Sequence, residues 1–193
     1  MTGSQLVVIG ASSGGLEAML ILLRELAPDF AVPIVLVLHQ RANRASGVPA
    51  MLATHTHLQV VEPDDKQLIE AGYLYVAPPN YHLLVEKEKI LSLSSEAPVH
   101  HSRPSIDVTL ETAAQAYGRD VLVCVLTGAN QDGAQGAREI KKRGGRVFIQ
   151  SRSEARVPVM PDAVAAAVTV DGELTLLEMA GMLNTLEPPG RAE

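Results

Sequence analysis

A chain of 193 residues with 47% hydrophobic content is long enough for one sizeable core, and no composition break divides it into two comparable domains, so a single domain is expected. The net charge of −6, with acidic and basic residues interspersed, provides no basic stripe and argues against nucleic acid or an anionic lipid surface as partner. No signal-peptide pattern is present and the apolar runs are too short to span a bilayer, so no membrane insertion is expected. The single cysteine, Cys124, sits inside the apolar run Val121 to Leu126, which fits a reduced thiol and a cytoplasmic setting.

Leu6-Val7-Val8-Ile9 reads as a short buried strand, after which Gly10-Ala11-Ser12-Ser13-Gly14-Gly15 turns the chain into a helix-periodic segment, Leu16 to Leu26. Gly10 to Gly14 fits G-x-S-x-G, in which the flanking glycines let strand and helix pass closely and hold a serine hydroxyl at the carboxyl edge of a sheet. The adjoining helix start offers unpaired N–H groups and a positive dipole end, both suited to a developing oxyanion. Taken alone, the same turn also suits a bound phosphate or dinucleotide, or a packed turn without chemistry. Against the dinucleotide reading, Ser12 stands where G-x-G-x-x-G needs its second glycine.

Ile34 to Leu38 is an unbroken aliphatic run, as expected of a parallel strand buried on both faces, and it ends at His39. His39 therefore belongs to the same sheet edge as Ser12, either as a reactive group or as a cap for nearby backbone. Gln40 to Gly47 is polar and carries Arg41 and Arg44, which are either solvated loop charges or a docking patch for an acidic helix. A helix follows at Val48 to Ala53, then strands at Leu58 to Val61 and Gly72 to Ala77, and an antiparallel hairpin made of His82 to Val85 and Ile90 to Leu93. His55 with His57, and His100 with His101, lack further ligands at metal spacing, so neither a metal site nor a cofactor is expected.

Arg103-Pro104 opens a helix in this reading, with Ile106, Leu110, Ala113, Ala114 and Tyr117 on its apolar face, although Ser102 to Asp107 equally suits an ordinary helix cap. Val121 to Leu126 is the most apolar strand and runs into a second Gly-punctuated turn, Thr127 to Ala134, which carries Asp132. A helix from Ala134 to Arg143, a strand from Arg146 to Gln150 and a loop from Ser151 to Pro161 come next. A short alanine-rich helix, the run Val168-Thr169-Val170, a helix from about Thr175 to Leu186 and a loose tail from Glu187 finish the chain. The alternation predicts an α/β fold, doubly wound, with a mostly parallel sheet, helices on both faces and one antiparallel hairpin.

Three strand ends thus present Ser12, His39 and Asp132, a set able to act as nucleophile, general base and orienting carboxylate. Val8 to Gly15, His39, Arg103 to Val108, Leu126-Thr127-Gly128 with Asp132-Gly133-Ala134, and Met160-Pro161 together resemble the catalytic domain of CheB-type chemotaxis methylesterases, from about Leu6 to Leu186. The resemblance implies a hydrolase that removes methyl groups from glutamate γ-methyl esters of chemoreceptors, releasing methanol, and that deamidates certain receptor glutamines. It assigns Ser12, His39 and Asp132 as catalytic and places the oxyanion N–H groups near Ser13 and Ala129. The implied partners are the cytoplasmic helices of methyl-accepting chemoreceptors. The family often carries an N-terminal receiver domain, whereas this chain starts at the first catalytic strand; a stand-alone form served by a separate receiver or regulatory protein, or a fragment, is expected.

Two departures from the family pattern stand out: Arg41 where a proline is usual, and Ala129-Asn130 before Gln131-Asp132-Gly133. They leave a docking or regulatory module with weak catalysis as the alternative, and a nucleotide-binding domain as a third reading.

Overall fold

Unbroken runs of branched aliphatic residues bury both strand faces at once, and the chain meets that demand with a parallel sheet covered on each side. The computed structural model describes residues 6–39 and 47–187; Gln40, Arg41, Arg44 and the tail beyond Glu187 lie outside the described residues. In chain order the elements are β1 (Leu6–Ala11), α1 (Gly15–Arg24), β2 (Ile34–Leu38), α2 (Val48–Ala53), β3 (Gln59–Val61), β4 (Gln67–Leu68) and β5 (Tyr73–Val76). They continue with β6 (His82–Glu86), β7 (Ile90–Ser94), α3 (Ile106–Tyr117), β8 (Val121–Val125), α4 (Ala134–Lys142), β9 (Arg146–Gln150), α5 (Val159–Ala167), β10 (Gly172–Leu174) and α6 (Leu176–Leu183).

Seven strands form the main sheet in the order β10-β9-β8-β1-β2-β5-β3, every neighbouring pair parallel. The chain winds from β1 outward through β2, then returns to β1's other side with β8. Strand order therefore reverses between β1 and β8, the place where open α/β sheets leave a crevice for ligands.

Alternate residues of each strand serve different cores. Val7 and Ile9 pack with Met19 and Leu22 of α1 and Leu176 and Met179 of α6. Leu6 and Val8 face the other way, against Ile106 and Leu110 of α3, Ile140 of α4 and Met160 of α5. Each fully buried aliphatic side chain of this kind contributes roughly 1.5–3 kcal/mol.

The expected hairpin is present as β6 and β7, with β4 added on its outer side to make a three-stranded antiparallel sheet. Other boundaries differ from the sequence reading. Pro104 lies before α3, whose N-cap is the extended residue Ser105 (φ −108, ψ 136). Met160 and Pro161 belong to the first turn of α5 instead of the preceding loop, because proline costs nothing where helix N–H groups have no intrahelical partner. The last strand is Gly172–Leu174, which the sequence reading did not mark; Val168 and Val170, just before it, pack on the core as loop residues.

Candidate active site

Ala11 and Leu38 are register partners across β1 and β2, so Ser12 and His39 are the next residues on adjacent strands. The His39 N–H donates to the Ala11 carbonyl at 3.0 Å, and the Ser12 N–H donates to the Thr127 carbonyl at 3.0 Å. Backbone pairing thus draws together the ends of β1, β2 and β8. Thr127 fastens the first and third: its hydroxyl donates to the Ser13 carbonyl at 2.8 Å and accepts from the Val157 N–H at 2.9 Å. Its own N–H donates to the buried Gln150 side chain at 2.9 Å.

Asp132 is fully buried, yet its carboxylate is surrounded by donors. Oδ2 accepts from the Ile106 N–H at 2.7 Å and lies 2.8 Å from His39 Nε2; Oδ1 accepts from the Asp107 N–H and the Ser105 hydroxyl, each at 2.9 Å. Burial on its own would raise this carboxyl's pKa, but the His39 hydrogen bond and the α3 N–H groups outweigh it and hold the group below the usual carboxylate value. An ionised carboxylate has no hydrogen to give, so the shared proton sits on His39 Nε2. That leaves Nδ1 as the ring's acceptor.

Asp107 mirrors this arrangement from the other helix. Its Oδ1 accepts from the N–H groups of Gly133 at 2.9 Å and Gly136 at 2.7 Å, at the start of α4. Burial first, and then the nearby charge of Asp132, push its pKa up to about 6 against the pull of the Gly136 and Gly133 N–H groups and of His100. Each of α3 and α4 is therefore capped by an aspartate that precedes or opens the other.

Ser13 and Ala129 are exposed, and among the described residues their N–H groups have no hydrogen-bond partner. Ala129 is held by its neighbour Gly128, which donates to the Val157 carbonyl at 2.9 Å and accepts from the Met160 N–H at 3.0 Å. Beside His39 opens a cleft of about 320 Å³ walled by Asn80, Pro98, His101, Ser102, Arg103 and Pro104.

The other histidines singled out in the sequence lie elsewhere. His55 contacts the Met51 carbonyl and His57 the Phe30 carbonyl. His100 and His101 form the tip of a tight turn closed by Val99 and Ser102, with His100 Nε2 3.5 Å from Asp107 Oδ2. No cluster of three or more potential metal ligands occurs among the described residues.

Sequence reading missed Ser105, Asp107, Thr127 and Gln150 as parts of the site's frame. Only the Ser-Ile-Asp run at a helix start signalled the first two, and it signals local capping equally well.

A doubly wound α/β sheet with serine, histidine and aspartate gathered where strand order reverses defines the class, one built for chemistry at the carboxyl edge of the sheet. Within that class, residues 7–183 match the CheB methylesterase family, and the chain belongs to it. A protein-glutamate methylesterase/protein-glutamine glutaminase of Nocardioides is 38% identical over 180 residues, which cover 92% of this chain and 49% of that protein. A relative from Leptospira interrogans, provisionally given the same name, is 41% identical over 181 residues and 94% of each chain. The solved catalytic domain of the Thermotoga maritima CheB methylesterase superposes with a TM-score of 0.89 at 29% identity, covering 95% of this chain and 98% of that one.

Proposed function

We propose that the chain hydrolyses glutamate γ-methyl esters on the cytoplasmic helices of chemoreceptors, with Ser12 as nucleophile, His39 as general base and Asp132 as its orienting partner. The observation that carries the reading is the buried Asp132 carboxylate 2.8 Å from His39 Nε2, on the strand end adjoining Ser12. The family and the names of the relatives supply the substrate class.

In this mechanism His39 Nδ1 takes the Ser12 proton as the hydroxyl oxygen attacks the ester carbon. The tetrahedral oxyanion is received by the Ser13 and Ala129 N–H groups, which have no other described partner to give up. Collapse breaks the carbon–methoxy bond, and the protonated histidine supplies the hydrogen with which methanol departs. Water, losing its proton to His39, then opens the acyl-enzyme to a glutamate carboxylate and restores Ser12. A glutamine side chain follows the same path with ammonia as leaving group. No cofactor takes part.

The test is methanol release from a carboxyl-methylated receptor cytoplasmic fragment, comparing the wild-type chain with Ser12→Ala. Release that disappears in the variant, with its melting temperature unchanged, supports the serine esterase. Release that persists removes Ser12 from the mechanism; none from the folded wild-type chain on several receptors favours a docking module.

A further inference from the structure

His82 opens β6, is 1% exposed, and has no part in the chemistry above. Its Nε2 lies 3.0 Å from the Ala97 carbonyl, and its Nδ1 lies 3.2 Å from the Ser105 N–H. A carbonyl needs a donor and an amide N–H needs an acceptor, so the ring carries its proton on Nε2 and accepts at Nδ1.

Ser105 makes no side-chain cap to its own helix; its hydroxyl goes to Asp132 Oδ1 at 2.9 Å instead. The next two residues donate their N–H groups to the same carboxylate at 2.7 and 2.9 Å. Three consecutive residues thus hold Asp132, and His82 fixes the first of them from behind. The small sheet is tied to α3 at two further points: Thr109 Oγ1 donates to the Leu83 carbonyl at 2.7 Å, and the Val85 N–H donates to Thr112 Oγ1 at 3.1 Å.

We infer that His82 is a positioning residue: by accepting the Ser105 N–H it fixes the Ser105-Ile106-Asp107 clamp that aims Asp132 at His39. The inference rests on the catalytic reading of Asp132 and His39. It also gives the three-stranded sheet a task, that of a rigid backing for the carboxylate.

Two substitutions separate this role from mere packing. Asn at position 82 places an oxygen near the Nδ1 position and keeps the acceptor for Ser105, whereas Gln places its amide near the Nε2 position and keeps only the donor to Ala97. His82→Gln is expected to lower kcat roughly 10–100-fold with KM unchanged, the fold-change that corresponds to leaving one buried donor unpaired, and His82→Asn to stay within about threefold of wild type. Ser105→Ala, which keeps the N–H that His82 accepts and removes one of the three donors to Asp132, should lower kcat less than His82→Gln does, and the double variant should lose less than the product of the two, because part of the His82 effect passes through that hydroxyl. The rate at which a small fluorophosphonate inactivates Ser12 should fall in parallel, since that reaction needs the activated serine but no receptor.

Equal kcat for His82→Asn and His82→Gln, losses that multiply in the double variant, or a change confined to KM would overturn the inference. Should His82→Gln fail to fold, the Ser105→Ala kinetics and inactivation rate decide, and wild-type values there overturn it. Ser12→Ala run alongside tells the two failures apart: turnover surviving in that variant sinks the catalytic reading itself.

Discussion

The turns after β1 and after β8 lie side by side and share a backbone device, yet they treat their helix starts in opposite ways. Each enters its helix through a left-handed N-cap glycine, Gly14 at φ 81 and Gly133 at φ 101, and neither cap residue contributes a side-chain hydrogen bond. At the first turn Ser13 is exposed and its N–H has no partner among the described residues. At the second, the N–H groups of Gly133 and Gly136 are taken by Asp107 of α3, while Asp132 reaches back to cap α3. The first turn leaves the Ser13 N–H open for a ligand; the second leaves that of Ala129 open but commits those of Gly133 and Gly136 to Asp107, while the start of α3 immobilises Asp132. Accessibility suits a nucleophile, and a fixed charge suits an orienting group.

The largest effect should come from removing the carboxylate of the closed turn. Asp132→Ala leaves the Ile106 and Asp107 N–H groups and the Ser105 hydroxyl buried without their acceptor. At roughly 1–3 kcal/mol for each such group, a loss of at least about 3 kcal/mol is expected, together with loss of turnover. Ser12→Ala should abolish turnover as fully while changing stability by less than about 0.5 kcal/mol. Asp132→Asn separates the two roles: its oxygen at the Oδ1 position still accepts from the Asp107 N–H and the Ser105 hydroxyl, but its amide at the Oδ2 position donates to His39, drives the ring proton to Nδ1 and leaves the Ile106 N–H without an acceptor. Turnover should then fall by about 10⁴-fold, with the stability loss of one unpaired donor instead of three. Urea unfolding beside methanol release measures all three; equal stability of Ser12→Ala and Asp132→Ala would erase the distinction between the turns.

A smaller effect concerns the pH dependence of the crossed caps. Asp107 binds its proton more tightly when folded, with its pKa raised from 3.8 to about 6. The folded state therefore holds more protons than the unfolded state in that window, and stability from this group falls as pH rises from about 4 to about 6. Asp132, depressed instead, contributes stability that is present above the ordinary carboxylate value and is lost as pH falls below it through the folded value. Asp107→Asn keeps an acceptor for Gly133 and Gly136 but cannot ionise. Its melting temperature relative to wild type should rise by a few degrees between pH 4 and 6, at about 2–4 °C per kcal/mol, and level off above. A constant difference across that range would mean that Asp107 does not titrate there.

The parallel core was legible in the sequence because strands such as Val121–Val125 are apolar without interruption, and their ends point to one sheet edge. That logic also reached Ser12, His39 and Asp132. Short, half-exposed strands such as β4 and β10 carry no such pattern, since an edge strand of two or three residues has little face to bury. The clamp was illegible for a different reason. Ser105 and Asp132 are 27 residues apart, and Ser105 at a helix start predicts a bond to its own helix, which it does not make. Only packing of α3 against α4 turns that local signal into a long-range one.

A third helix start tests whether capping matters to chemistry only when it is crossed. α6 is capped locally: the Thr175 hydroxyl accepts from the Glu178 N–H at 3.3 Å, and the Glu178 carboxylate accepts from the Thr175 N–H at 2.9 Å. The Thr175 N–H, and then its hydroxyl, hold the Glu178 carboxyl below its ordinary value. α6 packs on the sheet face opposite α3 and α4, with Leu176 and Met179 in the other core. Thr175→Ala should therefore cost about 1 kcal/mol, as loss of an N-cap does, and leave kcat and KM unchanged. A fall in kcat in this variant would show that cap stability reaches Ser12 through α1, against which α6 packs, and the line drawn between open and crossed helix starts would then have to be moved.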